Sequence, residues 1–310
     1  MDVSIILVNY KTSSLVIGAI ESIIKNSCGF SYEIIVVDNA SNDNSRSIIE
    51  NKFSDIVFLA SSENLGTSKA YNLAITKSKG DFIFLLNPDT VLLNNAISMM
   101  LNFIKNRNDV AVVCGNLYDL DNLPTHSYQL KPVCLKGIKR SYSLFYLIGL
   151  RFKKNKLYQQ FNFSTKPVEV GYACAAAMMM NKALCEKVGF FDERVFMYGE
   201  ESVLSQKLRN IGLITMNIPE PRIMHFEGGS FAEKKQKSFS ESWFCRYIDG
   251  NFHTFEILEG PGSGVKYYKI LLRGEKKLSL FYFFLNRQKY LISKQKISIL
   301  KREITKVTQT

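Results

Sequence analysis

Polar residues close four apolar runs early in the chain: Asn9-Tyr10, Asp38-Asn39, Asn64-Leu65-Gly66 and Asn87-Pro88-Asp89. Asp38 can accept hydrogen bonds from a base or a ribose, Tyr10 offers a stacking face, and Gly66 lets a backbone approach a phosphate closely. Such groups suit a bound nucleotide. At the fourth position Pro88 fixes its own φ and biases Asn87 away from the helical region, so the apolar run 82–86 must end there. Asp89 is then left in the crevice beyond a strand's carboxyl end, where open α/β sheets take ligands, unless it closes a solvated Asx turn. No GxGxxG follows the first run and no GxxxxGK(S/T) occurs anywhere, which disfavours a dinucleotide oxidoreductase and a P-loop kinase.

Bringing these groups together requires parallel strands, and the pattern supplies them. Strands are expected at residues 3–8, 32–37, 56–59, 82–86 and 110–114. Between them lie helical stretches: 15–26 with Leu15, Ala19 and Ile23 on one face, a second through Ile48 and Ile49, then 69–77 and one reaching about Lys105. This alternation predicts an α/β fold with a mostly parallel central sheet and helices on both faces. Periodicity fades over residues 118–167 and returns over 168–180, where the Met178-Met179-Met180 triplet reads as core. It ends in a helix with Val203, Leu204, Leu208 and Ile211 on its apolar face.

The chain has 310 residues and a net charge of +12, unevenly spread. Residues 261–310 hold 12 of the 40 Lys and Arg but two of the 28 Asp and Glu, so residues 1–260 are close to neutral. The expected domains are therefore 1–260, with a nucleotide-binding half to 115 and an acceptor-binding, catalytic half from 116, and a basic, aromatic extension 261–310. That extension can lie on an anionic membrane surface or pack as helices with a solvated basic face. Nucleic acid is not expected, because no binding module accompanies the charge. No apolar run is long enough for a membrane helix, residues 143–150 coming nearest, and the first residues read as a strand rather than a signal peptide. Six cysteines without metal-ligand spacing, several in apolar runs, read as reduced thiols of a cytoplasmic protein.

Six segments in order, VSIILVNYKT, VVDNASNDNS, ENLGTSKAYNLAI, FIFLLNPDTVLL, GFFDERVFMYGEESVLSQKLRNIG and IMHFEGGS, resemble the family 2 glycosyltransferases, most closely the rhamnosyltransferase-like bacterial members that build surface polysaccharides. The resemblance covers residues 1 to about 230. It implies a GT-A fold, a nucleotide-diphosphate sugar donor, a divalent metal (Mg²⁺ or Mn²⁺) and inversion at the anomeric carbon. By position, Asp38 would contact the nucleoside and Asn87-Pro88-Asp89 would replace the family's Asp-x-Asp element, with Asp89 on the metal. His225 matches a histidine that can complete the metal shell, although a lone histidine can equally be a packed side chain. Glu200-Glu201 matches a Glu-Asp pair, with Glu201 as general base and Glu200 as its neighbour or an acceptor contact; both carboxylates could instead answer a helix dipole. Gly171, opening Gly171-Tyr172-Ala173-Cys174, matches a segment lining the donor-sugar and acceptor pocket, and Asp192 would brace its loop. The chain departs from the pattern at Asn87, at Glu201 in place of Asp, and at Val203, where many relatives keep a second Asp.

The resemblance thus implies transfer of a hexose, with rhamnose from dTDP-rhamnose foremost, onto a lipid-linked or growing surface saccharide at the inner face of the cytoplasmic membrane. The alternatives are a UDP-hexose or UDP-N-acetylhexosamine donor, or a sugar-nucleotide-binding protein without turnover. Residues 116–170 would set donor and linkage.

Overall fold

In the computed structural model, which describes residues 1–141, 160–226 and 239–309, the expected alternation is present from the first strand. It runs β1 (Val3–Asn9), α1 (Ser13–Asn26), β2 (Tyr32–Asp38), α2 (Ser45–Lys52), β3 (Val57–Ala60), α3 (Gly66–Lys77) and β4 (Phe82–Leu86). β1 pairs in parallel with β2 and β4, and β2 with β3, so these four strands end on one edge of the sheet. Asn9 sits opposite Asp38 in that register. Central strands β1 and β4 are buried on both faces, which is why they read as continuous apolar runs rather than alternating ones.

Beyond β4 follow β5 (Thr90–Leu92), α4 (Ala96–Ile104), β6 (Val110–Tyr118), β7 (Tyr128–Gln129) and α5 (Leu135–Ser141). Then come β8 (Val168–Val170), β9 (Tyr172–Ala173), β10 (Ala177–Asn181), α6 (Lys182–Glu186), α7 (Glu200–Asn210) and β11 (Ile214–His225). The main sheet has the order β3-β2-β1-β4-β10-β6-β11-β5, with β8 also on β11. β10 is antiparallel to β4 and β6, so the second half of the sheet is mixed. The methionine triplet lies on β10 at the sheet's centre, Met179 facing one core and Met178 and Met180 the other. Because β10 lies between β4 and β6, the halves drawn at residue 115 share one sheet.

β5 was not foreseen. Its three residues run antiparallel to the end of β11, with Thr90 opposite His225. β11 reaches that point because its register on β6 shifts between Asn217 and Arg222, the stretch holding Pro219 and Pro221. Prolines lack the ladder donor and are accommodated at such irregularities. On α7, Val203, Leu204 and Leu208 are buried as expected, whereas Ile211 lies past the helix end and is exposed. The buried face of α1 is Val16, Ala19, Ile20 and Ile23, with Leu15 at its margin.

By internal contacts the chain divides in two. One unit comprises residues 1–132, 160–193 and 201–226 among those described, and holds the main sheet and both of its hydrophobic faces. The other comprises residues 133–141, 194–200 and 239–309. In it α8 (Glu241–Glu259), α9 (Ser263–Leu285) and α10 (Arg287–Gln309) share a core of Phe244, Ile248, Phe255, Tyr267, Tyr268, Leu271, Ile299 and Leu300. The grouping differs from a division at residue 260: α8 packs with the basic helices because its apolar stripe is buried against them. Residues 142–159 of the expected specificity region, including the apolar run 143–150, lie outside the described residues, as do Gly228, Gly229 and Ser230 after His225. All six cysteines are free. Cys114 and Cys185 are buried, which pushes both thiols up to about 12, while Cys28 and Cys134 are exposed.

Candidate active site

The carboxyl edge of the parallel strands gathers most of the residues singled out above. Asp38 ends β2, and its Oδ1 accepts hydrogen bonds from Asn9 Nδ2 at 2.7 Å and from the Ser41 hydroxyl. Its Oδ2 accepts from the Ser41 N–H at 3.2 Å. Asn9 is fully buried, and its Oδ1 is taken by the Thr12 N–H and hydroxyl. Asn9 therefore acts inward, fixing Asp38, rather than touching a nucleotide directly. Tyr10, next along, is exposed, with Lys11 Nζ 5.6 Å from its ring centre. Lys11, Ala40 and Asn42 all have positive φ without being glycine. Such strained turns persist where surrounding bonds determine them, as Ser41 does here by accepting from the Lys11 N–H.

The next loop is held by Asn39, a polar strand end to which the sequence assigned no role of its own. Asn39 is buried, accepts from the Leu65 N–H at 2.8 Å, and donates to Asn64 Oδ1 and to the Gly66 carbonyl. Asn64 Oδ1 in turn accepts the Gly66 N–H. Gly66 has φ +74°, a left-handed turn that glycine adopts without penalty. Its N–H is already bonded, so its contribution is the turn that opens α3 rather than a donor for phosphate.

At the end of β4 the Asx turn is not made by Asp89. The Thr90 hydroxyl donates to the Asn87 carbonyl at 2.6 Å and closes the turn instead. Asn87 Oδ1 accepts from the Tyr71 hydroxyl, and its N–H bonds the Ala176 carbonyl. Asp89 is 4% exposed, and its Oδ1 accepts no hydrogen bond among the described residues. His225 Nε2 stands 3.5 Å from that oxygen, brought there by the β5–β11 pairing and by the Phe226 N–H donating to the Asp89 carbonyl. A buried carboxylate oxygen lacking a donor is costly, and an imidazole nitrogen beside it supplies a second ligand atom. The pair fits a hard or borderline divalent cation. Among the described residues no group of three His, Cys, Asp or Glu could hold a metal. Two protein donors with the remaining positions left to phosphate oxygens and water are the usual form of a Mg²⁺ site on a nucleotide.

Glu200 and Glu201 open α7, after Tyr198 and Gly199 with φ +69° and +124°. Glu200 is 5% exposed and Glu201 partly so. Leu204 and Leu208 pack on the sheet and three residues join α7 to the start of β11, which runs in the same sense as β4, so the helix runs away from the carboxyl edge and its first turn lies on that side. Asp192, expected to brace its own loop, pairs with Lys207 of this helix at 3.1 Å. Val203, one of the departures from the resembled pattern, is fully buried. Gly171 is explained by packing rather than by the pocket. A Cβ there would run into the Lys131 carbonyl and Pro132, and its own carbonyl accepts from Arg209 at 3.0 Å. The same segment reaches the site only further on, at Ala176 beside Asn87.

The second unit has aromatic features of its own. On α8, Trp243 and Tyr247 stack with ring centres 5.3 Å apart and planes at 11°, both exposed, and Tyr198 meets each edge-on. A cavity of about 250 Å³ beside them is lined also by Phe244, Tyr267, Glu275 and Lys296. The one tryptophan of the chain, four residues before a tyrosine on a helix, is the signal that could have marked this surface.

Residues 4–189 match the family model for Glycosyl transferase family 2. The N-acetylglucosaminyl-diphospho-decaprenol L-rhamnosyltransferase of Mycobacterium tuberculosis is 21% identical over 64% of this chain and 67% of its own length. Among solved structures, the mannosyltransferase PcManGT of Pyrobaculum calidifontis, in complex with GDP-Man and Mn²⁺, aligns with a TM-score of 0.53 at 16% identity, covering 97% of this chain and 75% of that one. TarS of S. aureus aligns with a TM-score of 0.54 at 15% identity over 93% of this chain, which spans 44% of its length. These likenesses carry the fold, which is of the GT-A type with a C-terminal helical part.

Proposed function

The chain belongs to glycosyl transferase family 2, and from that premise we propose that it is an inverting, metal-dependent transferase acting on a nucleotide-diphosphate hexose. The observation that carries the proposal is Asp89 Oδ1, buried without a hydrogen bond among the described residues, beside His225 where β5 pairs with the end of β11. Asp89 and His225 would hold Mg²⁺ or Mn²⁺, which when bound neutralises the charge that develops on a departing diphosphate. Asp38, fixed by Asn9 and Ser41, accepts from the nucleoside, and Tyr10 covers the base. Asn39 keeps Asn64 and Gly66 in the conformation that borders the donor. Glu201 takes the proton of the acceptor hydroxyl, whose oxygen bonds to the anomeric carbon as the carbon–oxygen bond to the diphosphate breaks on the opposite face. Glu200, its neighbour, contacts the acceptor.

The acceptor is a lipid-linked or growing polysaccharide of the cell envelope, and dTDP-rhamnose is the first donor to test. The similarity to an enzyme named as a rhamnosyltransferase acting on a diphospho-decaprenol saccharide supports both choices. UDP-hexoses form the second set. On the second unit, the Trp243–Tyr247 stack offers apolar faces to a pyranose while Glu275 and Lys296 beside it can bind hydroxyls. We assign that surface to an acceptor saccharide. Calorimetric titration of dTDP, UDP and GDP with and without Mn²⁺ tests the donor site: metal-dependent binding of one of them is expected, and metal-independent or absent binding of all three contradicts it.

A further inference from the structure

We propose that the turn joining α9 to α10 is a wedge that enters the headgroup layer of an anionic lipid bilayer. The two helices are separated by Asn286 alone, which caps α10 by accepting the Lys289 N–H on Oδ1 and the Tyr290 N–H on its carbonyl. The far part of the pair is anchored in a core through Tyr267, Tyr268, Leu271, Ile299 and Leu300. The near part is the reverse. Leu280, Phe281, Phe283 and Leu291 are 73%, 61%, 59% and 52% exposed, the densest run of exposed large apolar side chains among the described residues. Lys276, Lys277, Arg287, Lys289 and Lys294 flank them in sequence on the two helices, all exposed. No Asp or Glu occurs between Glu275 and Glu303, and those two are already engaged by Lys296 and by Arg302 and Lys306.

This chemistry selects a membrane surface over the other occupants. A protein groove would ask for a flat or concave apolar patch with mixed polar rims, whereas here exposed apolar groups near the turn of a helical hairpin are accompanied by free charges of one sign. Phenyl and leucyl groups can enter the acyl boundary while the lysine stems extend along them and leave their ammonium groups at lipid phosphates. Among the described residues no helix is long and apolar enough to cross a membrane, so the contact is peripheral. The wedge does not depend on the transfer reaction, although it would bring the chain to a lipid-linked acceptor.

The test is co-sedimentation of the full chain with vesicles of phosphatidylcholine alone or with one-quarter phosphatidylglycerol, at two salt concentrations. Binding to the anionic vesicles, weakened by salt and at least tenfold weaker on neutral ones, is expected. Replacing Leu280, Phe281 and Phe283 together by Ser should lower the anionic partition coefficient tenfold or more, with the thermal transition and nucleotide binding unchanged. Lys276→Gln with Lys277→Gln and Lys289→Gln should remove the preference for anionic lipid. As a readout independent of the triple variant's folding, Phe281→Trp in a Trp243→Phe background should shift its emission to the blue on anionic vesicles. Unchanged sedimentation of the folded variants, or no emission shift, overturns the wedge. So does a lipid-free dimer by light scattering that the Ser variant converts to monomer, which would make this tip an interface between copies.

Discussion

Asp89 owes its availability to a neighbour. Thr90 closes the turn that an aspartate after proline would otherwise close for itself, and the carboxylate is left turned inward with Oδ1 unmatched beside His225. Removing it should therefore cost metal-dependent affinity more than stability: Asp89→Ala is expected to weaken nucleotide binding in Mn²⁺ tenfold or more, about 1.4 kcal/mol, and to leave the weak metal-free binding unchanged. Titration calorimetry in Mn²⁺ and in EDTA distinguishes these. Asn9 and Gly171 show the opposite lesson. Both stood among expected ligand contacts, but one is buried holding Asp38 and the other is the size of residue that Lys131 and Pro132 permit.

At the scale of elements, the donor edge is a set of loops tied by side-chain amides. Asn39 alone bridges the end of β2 to the start of α3 through three hydrogen bonds. Asn39→Ala should leave buried groups without partners and lower stability by about 1–3 kcal/mol, read from urea denaturation, while also weakening donor binding through the displaced 64–66 loop. The β–α alternation and the four polar strand ends were legible because parallel strands buried on both faces leave long apolar runs that stop at polar residues. β5 was not, since three residues after a proline turn carry no period, and its existence depends on pairing with β11 far along the chain. Nor was the role of Asn39, which lies in partners 25 to 27 residues away. Glu201 was readable only through its resemblance to a known motif. The structure adds that Glu201 lies in the first turn of α7, the helix that leads into β11.

Over the whole molecule, the charge asymmetry seen in composition falls on the basic, apolar-tipped hairpin of the second unit, which also carries a separate aromatic stack on α8. Assigning the first to an acceptor saccharide makes a separable prediction. Trp243→Ala should raise the acceptor KM about three- to tenfold, the scale of one lost aromatic contact, with donor affinity unchanged in a binding titration. The central claim concerns the first unit. It is tested most directly by release of nucleoside diphosphate from dTDP-rhamnose, UDP-hexose and UDP-N-acetylhexosamine in the presence of a lipid-linked acceptor, comparing the natural chain with Glu201→Gln, each with Mn²⁺ and with EDTA. The expected result is release from one donor in Mn²⁺, its loss in EDTA, and a fall of about 10²- to 10⁴-fold in Glu201→Gln with donor binding retained. Release from no donor with acceptor present, or full activity in Glu201→Gln, would contradict the account.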